Sequence, residues 1–193
     1  MSNIINVVLD VLKKELTLPR YQHSLGVAET AVALAKRLGG DVFKARLAGL
    51  LHDCARDLPA SRLLIMAETF GIPITDIEAA EPVLLHAPVG ARLADIKFGV
   101  DDREIFQAIK CHTTGGPGMS LLDQVIYLAD FIEPGRKYPG VEKLRDIAEK
   151  DFEAAVVAAF DQTLNYLIAK NGLIHQDTVV GRNELLLARQ RRS

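Results

Sequence analysis

The apolar positions of this chain recur at three- and four-residue intervals almost from end to end, the spacing of helices that bury one face. Ile4, Ile5, Val8, Leu12 and Leu16 form the first stripe, closed by a break at Leu18-Pro19. A second helix carries His23, Val27, Ala31, Leu34 and Leu38 on one face and stops at Gly39-Gly40, a fitting C-terminal signal. Asp41 reads as the N-cap of a third helix that runs towards Asp53. Further helices are predicted over 61–70, 88–98, 102–111, 121–131, 141–149 and 152–170, and a last one follows Thr178. Residues 113–118, TTGGPG, form a loop by composition. Few stretches alternate with the period of two that a half-buried strand shows, and neither a repeat nor a linker interrupts the series. The expected fold is all-α, a single compact helical bundle spanning 1–193.

Composition narrows the setting. With 49% hydrophobic residues the chain can fill a core, and its formal charge of −2 argues against a nucleic-acid polymer as partner. The basic end from Arg189 to Arg192 reads as a solvated helix terminus. The opening MSNIINVVLDVLKKEL lacks the basic start and unbroken apolar run of a signal peptide. No apolar stretch approaches the ~18 residues of a membrane span, so no membrane is expected. Two cysteines, Cys54 and Cys111, cannot make a disulfide scaffold. They read as buried small hydrophobes in a cytoplasmic protein.

The chemistry centres on His52-Asp53 in LAGLLHDCARDLP, an imidazole and a carboxylate in a segment otherwise fit for a buried helix. Burying both without partners would cost several kcal/mol, and a divalent metal is the simplest compensation. His23 heads the apolar face of its own helix. Asp130 ends the stripe of Leu121, Leu122, Val125 and Ile126, so facing helices can deliver both to one centre. Two nitrogens and two oxygens from His23, His52, Asp53 and Asp130 suit iron, manganese, zinc or nickel better than calcium. A bound water would be acidified to a hydroxide near neutral pH. His86 and His112, each beside small or turn-forming residues, are candidates for a second ion or for phosphate oxygens. Arg20, Arg56 and Arg136 lie within a few residues of these groups, and guanidinium binds phosphate bidentately. Lys137 and Tyr138 add a donor cluster, and Thr113 and its glycines offer hydroxyl and backbone N–H groups. His175, after Gly172 near a chain turn, has no ligand-like neighbour in sequence and is set aside. No Walker-type loop or GxGxxG is present.

The order His23, His52-Asp53, Asp130 on a helical chain resembles the HD-domain superfamily of metal-dependent phosphohydrolases. The strings RYQHSLGVAETA, LLHDCARDLP, LLHAPVGA and IKCHTTGGPGMSLLDQVIYLADFIEPGRKYPGV are similar to the YqeK-type branch, the symmetrical bis(5′-nucleosyl)-tetraphosphatases, over about residues 5 to 180. The resemblance implies cleavage of diadenosine tetraphosphate into two ADP, with iron as the metal, in one or two ions. It implies His23, His52, Asp53 and Asp130 as metal ligands, with Asp53, His86 and His112 in catalysis. Arg20, Arg56, His86, His112, Thr113 and Arg136 would contact phosphates, and Tyr138, Thr178 and Asn183 the nucleotide. A homodimer is expected too. Two alternatives stay open: a phosphohydrolase for another nucleotide, and a nucleotide-binding sensor without turnover.

Overall fold

In the computed structural model, which describes residues 2–192, every regular element is a helix. The first half comprises α1 (Ser2–Glu15), α2 (Leu18–Leu38), α3 (Val42–Leu51), α4 (Ala60–Thr69), α5 (Asp76–Ala80), a 3-10 segment (Pro82–Leu85) and α6 (His86–Phe98). The second half comprises α7 (Arg103–Cys111), α8 (Leu121–Ile132), α9 (Val141–Lys150), α10 (Phe152–Ala169) and α11 (Gln176–Gln190). The all-α expectation holds. Among the described residues no helix is long and apolar enough to cross a membrane.

Local chemistry sets most boundaries. Asp41 caps α3 by accepting from the N–H groups of Phe43 at 2.8 Å and Lys44 at 3.0 Å. Ser120 and Asp123 cap α8 reciprocally. Gly39 ends α2 in the left-handed conformation, at φ 72°. Leu18-Pro19 does more than break α1: the proline sits in the first turn of α2, where its missing N–H costs nothing. Four elements differ from the expected ones. The pair α5 and the 3-10 segment is too short for a readable period, although Thr75 and Glu78 form a capping box there. Helix α6 starts at His86 rather than 88, with Pro88 tolerated in its first turn. Helix α11 starts at Gln176, before Thr178, because the His175 ring accepts the N–H of Asp177 as a cap.

The core gathers around α8, whose Val125, Ile126, Tyr127, Leu128 and Ala129 are all buried. It packs against α2, α3, α7 and α10, with Tyr127 stacked on Phe160 of α10 at 4.5 Å between ring centroids. Helices α2 and α3 approach very closely, since a Cβ at Gly49 would lie 2.7 Å from the Ala28 Cα. That approach brings His23 and His52 together edge to face, with ring centroids 5.2 Å apart. The loop after α7 is held from three directions. Gly115, at φ +66°, leaves no room for a Cβ beneath the Phe160 ring, and Gly181 of α11 lies against the Gly116 backbone. The Gly118 N–H donates to Glu184 at 2.6 Å. The basic chain end is tied as well: Arg189 pairs with Asp151 and Arg192 with Glu153, so it is an ion-paired helix terminus.

Candidate metal and nucleotide site

Five helices deliver the candidate ligands to one point. His23 comes from the second turn of α2, His52 is the C-cap of α3 with Asp53 just beyond, and Asp130 ends the buried stripe of α8. His112 caps the C-terminus of α7, and His86 stands where the 3-10 segment meets α6. His52, Asp53, His86 and His112 are all buried.

Three of these rings are fixed by one device. The Nδ1–H of His52 donates to Gly49 O at 2.7 Å and that of His112 to Ile109 O at 2.7 Å. His86 Nδ1–H donates to Val83 O in the same way. Each acceptor is the carbonyl three residues earlier, in the turn that ends there. A carbonyl only accepts, so Nδ1 carries the proton and Nε2 of the neutral ring turns a lone pair to the centre. His23 is oriented differently, its Nδ1–H donating to the buried carboxylate of Glu133 at 3.0 Å. That carboxylate occupies the space a Cβ at Gly26 would need, with Oε2 at 2.6 Å, and it also accepts from Gly135 N–H.

The Nε2 atoms then converge. His52 Nε2 lies 3.3 Å from His23 Nε2, and His86 Nε2 lies 3.1 Å from His112 Nε2. Asp130 Oδ1 is 2.9 Å from His23 Nε2, and Asp53 Oδ1 is 3.2 Å from His86 Nε2 and 3.4 Å from His112 Nε2. Lone pairs and carboxylate oxygens at such distances repel unless positive charge sits between them. A divalent cation fits this donor set. Two triads bring their donor atoms within 4.8 Å of one another: His23, His52 and Asp130, and His52, Asp53 and His112. They share His52, whose single free nitrogen serves one ion. A second ion would therefore rely on Asp53, His86 and His112.

The electrostatics agree. Burial opposes charge on Asp53, but His52 and hydrogen bonds from His112, His52 and His86, when those rings carry a proton, hold its carboxyl well below the usual range. Burial likewise opposes charge on Asp130, and the His23 hydrogen bond and the Arg136 guanidinium outweigh it and lower its pKa. Burial alone would lower His23, yet Asp130 and Glu133 raise it above its ordinary value. For His86 burial prevails and the pKa falls. Arg20 donates to Asp53 and Arg136 to Asp130. Asp53, Asp130, Glu133 and the Asp57 that pairs with Arg20 stand against two guanidiniums, a net of two negative charges that one divalent ion neutralises. Loaded with metal, the centre no longer repels a phosphate chain.

Two clefts open from this centre. The larger, about 1010 Å³, is lined by Asp130 and Thr113, by the apolar Leu84, Phe131, Tyr166 and Leu167, and by Arg136 and Tyr138. The smaller, about 830 Å³, is lined by Arg20, His23, Gln22, Glu29, Glu133 and Lys137, and again by Arg136 and Tyr138. Thr113 Oγ1 stands 3.2 Å from His86 Nε2 and 3.0 Å from His112 Nε2. The Tyr138 hydroxyl donates to Phe131 O at 3.0 Å, which fixes the ring between the clefts. Thr178 is buried and lines the larger cleft. Arg56 is half-buried and is not among the residues lining either cleft. Asn183 is exposed on α11, accepts from Arg182 at 3.4 Å, and also lines neither. Sequence reasoning missed Glu133. It also set aside His175, which is buried and lines the larger cleft beside Thr178.

A helical bundle that closes histidines and aspartates from separate helices around one point defines a class of protein. The HD domain family matches residues 20–166, and the chain belongs to that family. Among its relatives, the symmetrical bis(5′-nucleosyl)-tetraphosphatase of Halalkalibacterium halodurans is 45% identical over 181 residues, 93% of this chain and 95% of that one. The protein of the same description from Bacillus subtilis is 41% identical over 180 residues, 92% of this chain and 95% of its own. A crystal structure from Clostridium acetobutylicum, described as a predicted HD superfamily hydrolase involved in NAD metabolism, superposes with a TM-score of 0.92. It is 42% identical, covering 95% of this chain and 97% of that one.

Proposed function

We propose that this protein is a metal-dependent hydrolase that splits diadenosine tetraphosphate symmetrically into two ADP; its relatives are described as symmetrical bis(5′-nucleosyl)-tetraphosphatases. The observation that carries the reading is the junction itself: convergent Nε2 and carboxylate atoms flanked by Arg20 and Arg136 and opening into the larger, nucleotide-sized cleft. His23, His52, Asp53 and Asp130 would hold the first ion, and Asp53, His86 and His112 have the donors for a second. When bound, such an ion acidifies water and offsets charge on phosphate oxygens. The donor set suits iron, manganese, zinc or nickel, and the resemblance to the family is what singles out iron.

The chain's own groups do the rest. Arg20 and Arg136 are already beside the two aspartates, so each can swing one N–H to a phosphate oxygen while still contacting its carboxylate. Where no second ion is bound, His86 Nε2 and His112 Nε2, opposite Asp53 Oδ1, are free to accept the proton released by the attacking water. Thr113 Oγ1, between them, donates to a phosphate oxygen or to one ring. The water oxygen ends on one ADP, and the bridging oxygen leaves with the other. Glu133 keeps the His23 ring in register, and Thr178 stands in the larger cleft that receives a nucleoside. The whole chain acts as one HD-type domain in the cytoplasm, as a homodimer. Exposed Ile168, near the end of α10, and Val179 and Val180, near the start of α11, offer apolar side chains to a second copy.

The test is to incubate metal-analysed protein with diadenosine tetraphosphate, with and without chelator, and to resolve the products. ADP as the only product, lost on chelation, is the expected result. ATP with AMP, or turnover that survives chelation, overturns the reading. Saturable binding without turnover points to the sensor alternative, and cleavage of other nucleotides alone points to the substrate alternative. Arg136→Ala is expected to raise KM while the protein keeps its metal. Asp53→Ala is expected to lose metal and activity together.

A further inference from the structure

We infer that the smaller cleft, between α2 and the loop after α8, is a second nucleoside-diphosphate subsite. The two clefts then hold the two halves of one dinucleoside tetraphosphate at the same time. The inference deepens the hydrolase reading above and rests on it.

The clefts are separate in their walls but meet at the reacting centre. Asp130 belongs to the wall of the larger one and His23 to the wall of the smaller, and Asp130 Oδ1 and His23 Nε2 are 2.9 Å apart. Arg136 and Tyr138 line both and form the ridge between them. A substrate of two equal halves, cut at its central P–O–P linkage, must place that linkage at the ridge and run one half outward on each side. Volumes of about 830 and 1010 Å³ each suffice for a nucleotide.

The walls differ in chemistry. The larger cleft has the aromatic and aliphatic faces of Phe131, Tyr166, Leu84 and Leu167, a surface on which a base stacks. The smaller offers Arg20 and Lys137 for phosphate, and Gln22 and Glu29 along the exposed face of α2 for ribose hydroxyls or a base edge. The larger cleft holds a nucleotide by itself. The smaller gains its occupant through the tether, because a half already anchored presents the other at high effective concentration. The second nucleoside is thus recognised by Gln22 and Glu29 only as part of the dinucleotide.

The test compares diadenosine tetraphosphate with adenosine 5′-tetraphosphate, which has the same phosphate chain but one nucleoside. Central hydrolysis gives two ADP from the first, and ADP with pyrophosphate from the second. Gln22 and Glu29 are exposed, so the double variant Gln22→Ala/Glu29→Ala should fold as the parent, which thermal unfolding checks. The parent is expected to favour the dinucleotide in kcat/KM. The variant is expected to lose about tenfold or more on the dinucleotide, the worth of one or two hydrogen bonds. Its kinetics on adenosine tetraphosphate should stay unchanged. Equal losses on both substrates, no loss on either, or a parent that does not distinguish them overturns the second subsite while the hydrolase reading stands. A parent inert towards both overturns the hydrolase reading and the inference with it.

Discussion

Gly26→Ala separates the stability of the fold from the quality of the metal site. Gly26 lies one turn after His23 in α2, and a Cβ there would stand 2.6 Å from Glu133 Oε2. The atom met is the end of a flexible side chain, so the fold can yield by moving the carboxylate. Alanine in a helix interior gains about 0.5–1 kcal/mol over glycine, which in a chain of this size raises Tm by a few degrees. The displaced carboxylate, however, leaves His23 Nδ1–H, its partner at 3.0 Å, and the Nε2 lone pair loses its aim. Loss of such an outer partner typically weakens metal binding about 10–100-fold, or about 1.4–2.7 kcal/mol. Glu133→Gln gives the contrasting pattern. Its amide has one acceptor oxygen for the N–H groups of both His23 and Gly135. It therefore strands a buried donor, for about 1–3 kcal/mol, and also weakens the metal. The assay is Mn²⁺ affinity by competition with a chelating dye, alongside thermal unfolding in EDTA. A Gly26→Ala protein that binds Mn²⁺ within about twofold of the parent, under 0.5 kcal/mol, would refute the role given to Glu133.

Three further outcomes follow from the same geometry. Gly115→Ala puts a Cβ into the Phe160 ring at a residue with φ +66°; left-handed strain of about 1–2 kcal/mol and overpacking of about 1–3 kcal/mol should be visible in urea unfolding, and an unchanged midpoint would contradict the packing. Metal-free protein should lose stability below about pH 4, as the lowered Asp53 and Asp130 take up protons. The raised His23 contributes fully below about pH 6.5 and loses its contribution as pH rises through its folded value; the lowered His86 acts in the opposite sense below about pH 6.5, so urea midpoints that still climb from about pH 7 to 9 would deny the His23 contribution. Burial, and then the charge of Asp53, push the Cys54 thiol up to about 12, so iodoacetamide at pH 8 should leave it unmodified until the protein unfolds, and rapid labelling of native protein would refute that burial.

The periodic residues were legible because helical spacing fixes direction. Asp130 falls on the same stripe as Val125 and Ile126, and the structure places it against His23. The small Gly49 next to Ala48 signalled a close helix crossing, which is the contact with Ala28. Glu133 was missed because it lies just past the helix expected over 121–131, directly before Pro134. Its signals were the spacing of three from Asp130, which continues the buried face, and Gly26 one turn after His23. Arg56 shows the opposite failure: it lies three residues from Asp53, yet proximity along a chain says nothing of direction once the helix has ended, and it lines neither cleft. His175 was passed over because its neighbours are distant in sequence; the return of α11 against the loop at Gly116 brings it to the larger cleft. Short elements such as α5 contain too few residues to show a period.

The carbonyl that steadies each of His52, His86 and His112 belongs to the very turn its ring terminates. None of these rings can turn away from the centre without giving up a contact at its own helix end, so their rotational freedom is already spent when the chain folds. Metal loading and helix fraying therefore become one linked equilibrium. An ion present at a hundred times its dissociation constant holds the folded state by about 2.7 kcal/mol, and that protection should register first as slowed amide exchange at the ends of α3 and α7. The ion thereby acts as a lock on the secondary structure that presents it.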